Sequence, residues 1–381
     1  MPDFRVQRGT VDFGVGSSPV TVTLPVAEDP RFAFPRLTSV LHGSGGRVTT
    51  SPTGLGNNDM SGRISNWTGS SFELFKPATA EADAHRYAWE IWSCGPMDAA
   101  LRPLHGFEVL EVDFFGLGSG VTSASTTGLG ADAQTIVFPT GHSGRATTQS
   151  HSDVCATLAL SGGEVVATRH GSGSTASIGY AAVRMGSAWT VSQNLTLAMT
   201  VAGAELALSG AGTAPWSQKF ATISHRVQAG ANDVRDYGIL ARADYSDDSQ
   251  LLCRLEPGAN LPAVGGYEVV AHVAHHPKLF VEHASSLLYS PQWQRGSSTP
   301  LTVTPDLGSA GVIATSSTDT GVQAPRGHWW YQLRSTGVFH DRGRDGVTSD
   351  HALQVVHFFT LDRGGAVNEA LGGFVNPSPL R

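Results

Sequence analysis

Apolar residues recur at every second position over short runs, as in Val20, Val22, Leu24 and in Tyr87, Trp89, Ile91, and Gly, Ser, Asn or Pro bound the runs. Alternation of period two between turn residues marks half-buried strands. No Gly-free stretch of three turns places apolar residues at i, i+3, i+4 and i+7. The chain therefore reads as all-β.

One paired pattern occurs four times: a short strand, a polar turn, then a strand led by an aromatic residue or leucine. It links Phe72 to Tyr87, Val165 to Tyr180, Leu251 to Tyr267 and Val338 to Leu353, at separations of 15, 15, 16 and 15 residues. An opening strand precedes each copy, over 4–13, 107–115, 189–199 and 279–289. A further element recurs just before each pair, beginning near Arg63, Cys155, Tyr237 and Trp329. Self-similarity at a fixed period is the mark of a repeat architecture. The expectation is four tandem β-sandwich units of about 85–100 residues, over 1–100, 101–187, 188–277 and 278–381, each with five to seven strands. Two larger sandwiches with similar halves are the alternative. Unit 2 is poor in large apolar residues and is expected to lean on its neighbours.

Composition narrows the function. The 381 residues include 45 Gly and 20 Pro, only 15% are charged, and the net charge is −7. With no basic patch interleaved with aromatics, nucleic acid is not expected as a partner. The start of the chain has no apolar h-region and no window resembles a membrane span, so neither a cleaved signal nor membrane insertion is expected. Cys94, Cys155 and Cys253 have no CxxC spacing and are expected to be buried small apolar residues.

Candidate chemistry is sparse. His272, His275 and His276 offer imidazoles at HxxHH spacing, but no nearby Cys or carboxylate pair completes a tetrahedral set, and the segment reads as a solvated linker. Asp244, Asp247 and Asp248 lack the spacing of a calcium loop and read as a hairpin turn. Gly141-His142-Ser143-Gly144 misses the GxSxG elbow by one residue, and the run Gly116–Gly120 has no helix behind it to hold a phosphate. No catalytic, cofactor-binding or metal-binding residue is assigned, and a non-enzymatic protein is expected. Trp67, Trp92, His328 and Trp330 are the candidates for an interface or a glycan contact. On the strand carrying Trp92, the face of Tyr87, Trp89 and Ile91 is taken as core.

The order Arg8-Gly9-Thr10-Val11-Asp12-Phe13, then Val20-Thr21-Val22-Thr23-Leu24-Pro25, then Arg31-Phe32-Ala33-Phe34 after Asp29-Pro30, resembles the start of a module common in phage virion proteins. The stretch from Gly62-Arg63-Ile64 through Phe72-Glu73-Leu74 to Tyr87-Ala88-Trp89-Glu90-Ile91 is similar to the six-stranded H-type lectin-like sandwich. These resemblances cover units 1 and 4 well, and units 2 and 3 only through the closing pair. They imply a virion structural protein, of the tail or its fibre and spike apparatus rather than the capsid surface, made in the host cytoplasm. Its implied partners are other virion proteins, copies of itself in a trimer or ring, and host surface polysaccharide. A carbohydrate-binding module array and a capsid decoration or cement protein are the alternatives.

Overall fold

The computed structural model describes residues 3–13, 19–42, 62–75, 85–145, 153, 155–173, 175–200, 205–227, 240–254, 267–286, 297–318, 329–342 and 349–361. It is all-β, as the alternation predicts, and its strands fall into four sets of six. Unit 1 holds β1 (Arg5–Phe13), β2 (Val20–Thr23), β3 (Ala33–His42), β4 (Arg63–Ser65), β5 (Ser71–Phe75) and β6 (His85–Ser93). One helical turn, α1 (Arg102–His105), leads into unit 2. That unit holds β7 (Phe107–Leu117), β8 (Ser123–Ser125), β9 (Thr135–Arg145), β10 (Thr157–Ser161), β11 (Glu164–Thr168) and β12 (Thr175–Met185). Unit 3 holds β13 (Thr190–Met199), β14 (Glu205–Ser209), β15 (Lys219–Val227), β16 (Leu240–Ala243), β17 (Gln250–Arg254) and β18 (Tyr267–His275). Unit 4 holds β19 (Phe280–Ser286), β20 (Ser297–Thr299), β21 (Ala310–Thr318), β22 (Trp329–Arg334), β23 (Gly337–Arg342) and β24 (Ser349–His357).

All four units share one topology. The first, last and third strands form an inner antiparallel sheet, β1-β6-β3 in unit 1 and its counterparts β7-β12-β9, β13-β18-β15 and β19-β24-β21. The second, fifth and fourth strands form an outer sheet, as in β2-β5-β4 or β14-β17-β16. Unit 2 does lean on unit 1: β4 pairs with β9 through Arg63 and Gly141, which joins two sheets into one of six strands. Gly141 has φ of +124°, and a Cβ there would lie 1.9 Å from the Gly62 carbonyl oxygen. Only glycine allows that approach.

The chain enters three of the four third strands through an Asx turn. Asp29, Asp132 and Asp306 each accept the N–H two residues on through Oδ1, at 3.0, 2.9 and 2.9 Å. In unit 3 a single 3-10 turn at Trp216–Gln218 does this work, with Trp216 N donating to Asp248 Oδ1 at 3.1 Å.

Each sandwich has its own apolar core between its sheets. A fifth core, shared by all four units, lies against the opposite faces of the inner sheets. The central strands are consequently buried on both sides. On β6, Tyr87, Trp89 and Ile91 face the core of unit 1, while Ala88, Glu90 and Trp92 are buried as well. The face of Tyr87, Trp89 and Ile91 is core, as expected, and the opposite face is buried as well, because alternation records burial by a sheet's own sandwich and not by its neighbours.

The units close into a ring. Strand contacts join unit 1 to unit 2 through β3 and β9, unit 2 to unit 3 through β9, β10 and β15, unit 3 to unit 4 through β16 and β21, and unit 4 back to unit 1 through β22 and β3. Trp92 fills the centre, with its ring centroid 5.7 Å from that of Phe138, 5.9 Å from Phe220 and 5.1 Å from Phe358, one ring from each other unit.

Candidate functional site

The distinctive polar chemistry of the described residues lies at the seams between units. Val109 N donates to Arg31 O at 2.7 Å across the seam between units 1 and 2. Val6 N donates to Gly308 O, also at 2.7 Å, across the seam between units 4 and 1. The two bonds join corresponding positions of first strand and turn, so the seam that no peptide crosses is built like one that a peptide does cross.

A hydroxyl on the third strand clasps the fourth strand of the preceding unit at three seams. Ser39 Oγ accepts Tyr331 N at 3.0 Å and donates to Tyr331 O at 3.2 Å. Thr315 Oγ1 accepts Ala241 N and donates to Ala241 O, both at 3.1 Å. Ser224 Oγ accepts Leu158 N at 2.8 Å. These strands are sheet edges, whose unpaired backbone groups need partners when buried.

Side chains of two central strands, and one of a third strand, meet the same need. Glu90 Oε2 accepts Val312 N at 3.0 Å and the Trp92 indole N–H at 2.9 Å. Gln354 accepts Ala221 N at 2.8 Å and donates to Ala221 O at 2.9 Å, while Thr222 Oγ1 donates to Val137 O at 2.8 Å. The corresponding residue of β3 is Pro35, which has no N–H to satisfy. Arg8 Nε lies 3.5 Å from Glu90 Oε1, and the Arg36 guanidinium packs 4.6 Å over the Trp92 ring. Burial pushes Arg36 down to about 10, against the pull of Glu90.

At one end of the ring the connectors meet in a histidine hub. His276, 1% exposed, faces His105 of α1, with Nε2 3.1 Å from His105 Nδ1. Its Nδ1 accepts Lys278 N at 3.1 Å. Phe359 stacks on the imidazole at 4.2 Å, and the Trp189 indole N–H donates to His105 O at 2.9 Å. Burial first, then His105, His275 and Lys278, push His276 down to about 3. His272 donates through Nε2 to Leu158 O at 3.2 Å and is pushed by burial to about 4. The solvated-linker reading of this histidine run is thereby corrected: it ends a doubly buried strand and turns into the hub.

A shallow groove runs along the seam between units 4 and 1, lined by Arg8, Trp89, Glu90, Tyr331 and Gln332 among others, with enclosed room for about one water molecule rather than a ligand.

The structure places the backbones of three of the four candidate contacts and the side chains of two, Trp67 and Trp92. Trp92 is 1% exposed at the ring centre, so it is no surface contact. Trp67 is half-buried, its indole N–H donating to Ala33 O at 2.9 Å. His328 lies outside the described residues. Trp330 is placed by its backbone alone, opposite Asp341 on β23. Asp244 and Asp247 cap the turn between β16 and β17 by accepting N–H groups of Ser246 and Ser249. All three cysteines are buried and free, as expected. Among the described residues no three His, Cys, Asp or Glu side chains are grouped to hold a metal ion, and no helix is long and apolar enough to cross a membrane.

Sequence reasoning passed over Glu90 and Gln354. Their signal is a lone polar residue inside an apolar strand, three positions before its last residue, a place His272 shares. Comparison with protein-family models finds no match, and comparison with curated proteins finds none either.

Proposed function

We propose that this chain is a non-enzymatic structural component of a bacteriophage virion, of the tail or its fibre and spike apparatus, that assembles with other virion proteins and with copies of itself and contacts the host surface. The observation that carries the reading is the commitment of buried and half-buried polar groups to seams between sandwiches. Glu90, Gln354, Ser39, Ser224 and Thr315 all join one unit to the next. Such an arrangement builds a stiff part. A weakly charged exterior, at 15% charged residues, suits packing against other proteins because little charge must be desolvated. The resemblance of the opening strands of unit 1 to a phage virion module supplies the setting.

The test is immunogold labelling of purified particles from a phage stock that encodes the chain. Label on tails supports the reading, label spread over capsids replaces it with a decoration role, and particles without label overturn it.

A further inference from the structure

We propose that the hub where the connectors meet the C-terminal segment is an acid-opened latch that holds units 4 and 1 together. Both nitrogens of His276 are in use as a neutral imidazole: Nδ1 accepts Lys278 N, so the ring proton sits on Nε2 and points at His105 Nδ1. A second proton has to enter at Nδ1 and displace the Lys278 contact. The charged and titratable groups that act on His276 are His105 from α1 and His275 and Lys278 from its own connector, all of them bases. Trp189 and Phe359, packed on it from the other two elements, carry no charge. A proton on His276 therefore has no counter-charge among the described residues, and the ring, 1% exposed, is shut off from solvent while the hub is closed.

What lies on His276 is the closure itself. Phe359 stacks on the imidazole, and Phe358 beside it stacks on Phe4 at 4.7 Å. The Asp3 carboxylate accepts Leu361 N, and Phe358 N donates to Ser309 O at 3.0 Å. The Phe4–Phe358 stack and the Asp3–Leu361 bond tie the first described residues of unit 1 to the last of unit 4, across the seam that no peptide spans, while the Phe358–Ser309 bond holds that segment on unit 4. An imidazole that ionises only when uncovered favours the open form as pH falls below about 6.5, its value in an unfolded chain. Opening there uncovers the apolar centre beside Phe4 and Phe358 while each sandwich keeps its own core.

The test is hydrogen exchange on the full chain at pH 7.5 and 5.0, corrected for intrinsic rates. The amides of Val6, Phe358 and Leu361 report the latch, and that of Val269 reports a unit core. The latch amides are expected to open up to about 30-fold more at pH 5.0, one and a half pH units below the unfolded value, while Val269 follows the acid loss of global stability and changes equally in the unaltered protein and in His276→Asn. His276→Asn keeps an oxygen to accept Lys278 N and does not titrate, so it should abolish the difference. Equal latch protection at both pH values, or the same rise in His276→Asn, overturns the proposal. If that variant does not fold, an NMR titration of the unaltered protein decides. A His276 resonance that titrates near pH 6.5 while Leu361 stays protected overturns the latch, and one that titrates only as that protection is lost supports it.

Discussion

Trp92 meets an aromatic ring from every other unit, and Gly311 of β21 lies flat beneath it. A Cβ at Gly311 would come within 2.4 Å of the indole nitrogen. Truncating Trp92 to Ala empties the centre of the ring and should cost about 3–5 kcal/mol. It also removes one of the two hydrogen-bond donors of Glu90. Gly311→Ala forces the indole aside and should cost about 1–3 kcal/mol as overpacking. Both are read as shifts of the denaturant midpoint at constant slope, and either variant with the unaltered midpoint contradicts the placement of Trp92. At this scale the sequence was partly legible. Free buried cysteines and the turn aspartates follow from residue chemistry alone. The burial of Trp92, Glu90 and His272 does not, because alternation along one strand cannot report a second sheet packing on its far side.

Strand edges set the next scale. Ser39, Ser224 and Thr315 hold corresponding edges at three seams. Ser39→Ala, Ser224→Ala and Thr315→Val should each cost about 1 kcal/mol, rising toward 3 where a buried N–H is left without a partner. The sites lie on different seams, so the triple variant should equal the sum of the singles within about 0.5 kcal/mol, as urea titration will show. The paired strands were legible as a near-constant 15-residue spacing because strand length and turn length are both fixed by the thickness of one sandwich. Third strands in units 2 to 4 were harder to see. Only the entry Asp is common to the turns of units 1, 2 and 4, and unit 3 has Pro215 and Trp216 there instead. The single turn of α1 is too short to show any helical period.

Across the whole molecule, a shared core makes the units depend on one another. Calorimetry should show one cooperative transition rather than four, since separate sandwiches would each melt at their own temperature. Acid should weaken the fold. Burial pushes His272, His283 and His357 down to about 4, so below pH 6.5 the unfolded chain binds more protons than the folded one. The stability from these neutral histidines is complete above pH 6.5 and is lost as pH falls toward 4. At pH 5 the loss should be about 2 kcal/mol for each of His272 and His283, checked by urea midpoints from pH 7.5 to 5. Four-unit organisation was legible because repeats leave a period in the chain. Ring closure was not, since no local pattern says that the last unit returns to the first.

That closure is most directly tested by small-angle X-ray scattering of the purified chain at neutral pH. A ring closed around a filled centre should scatter as one compact body, with a radius of gyration of about 21 Å for a chain of this length. Four sandwiches strung out in a row would give a value roughly half as large again and a distance distribution with a long tail, and that result would contradict the ring.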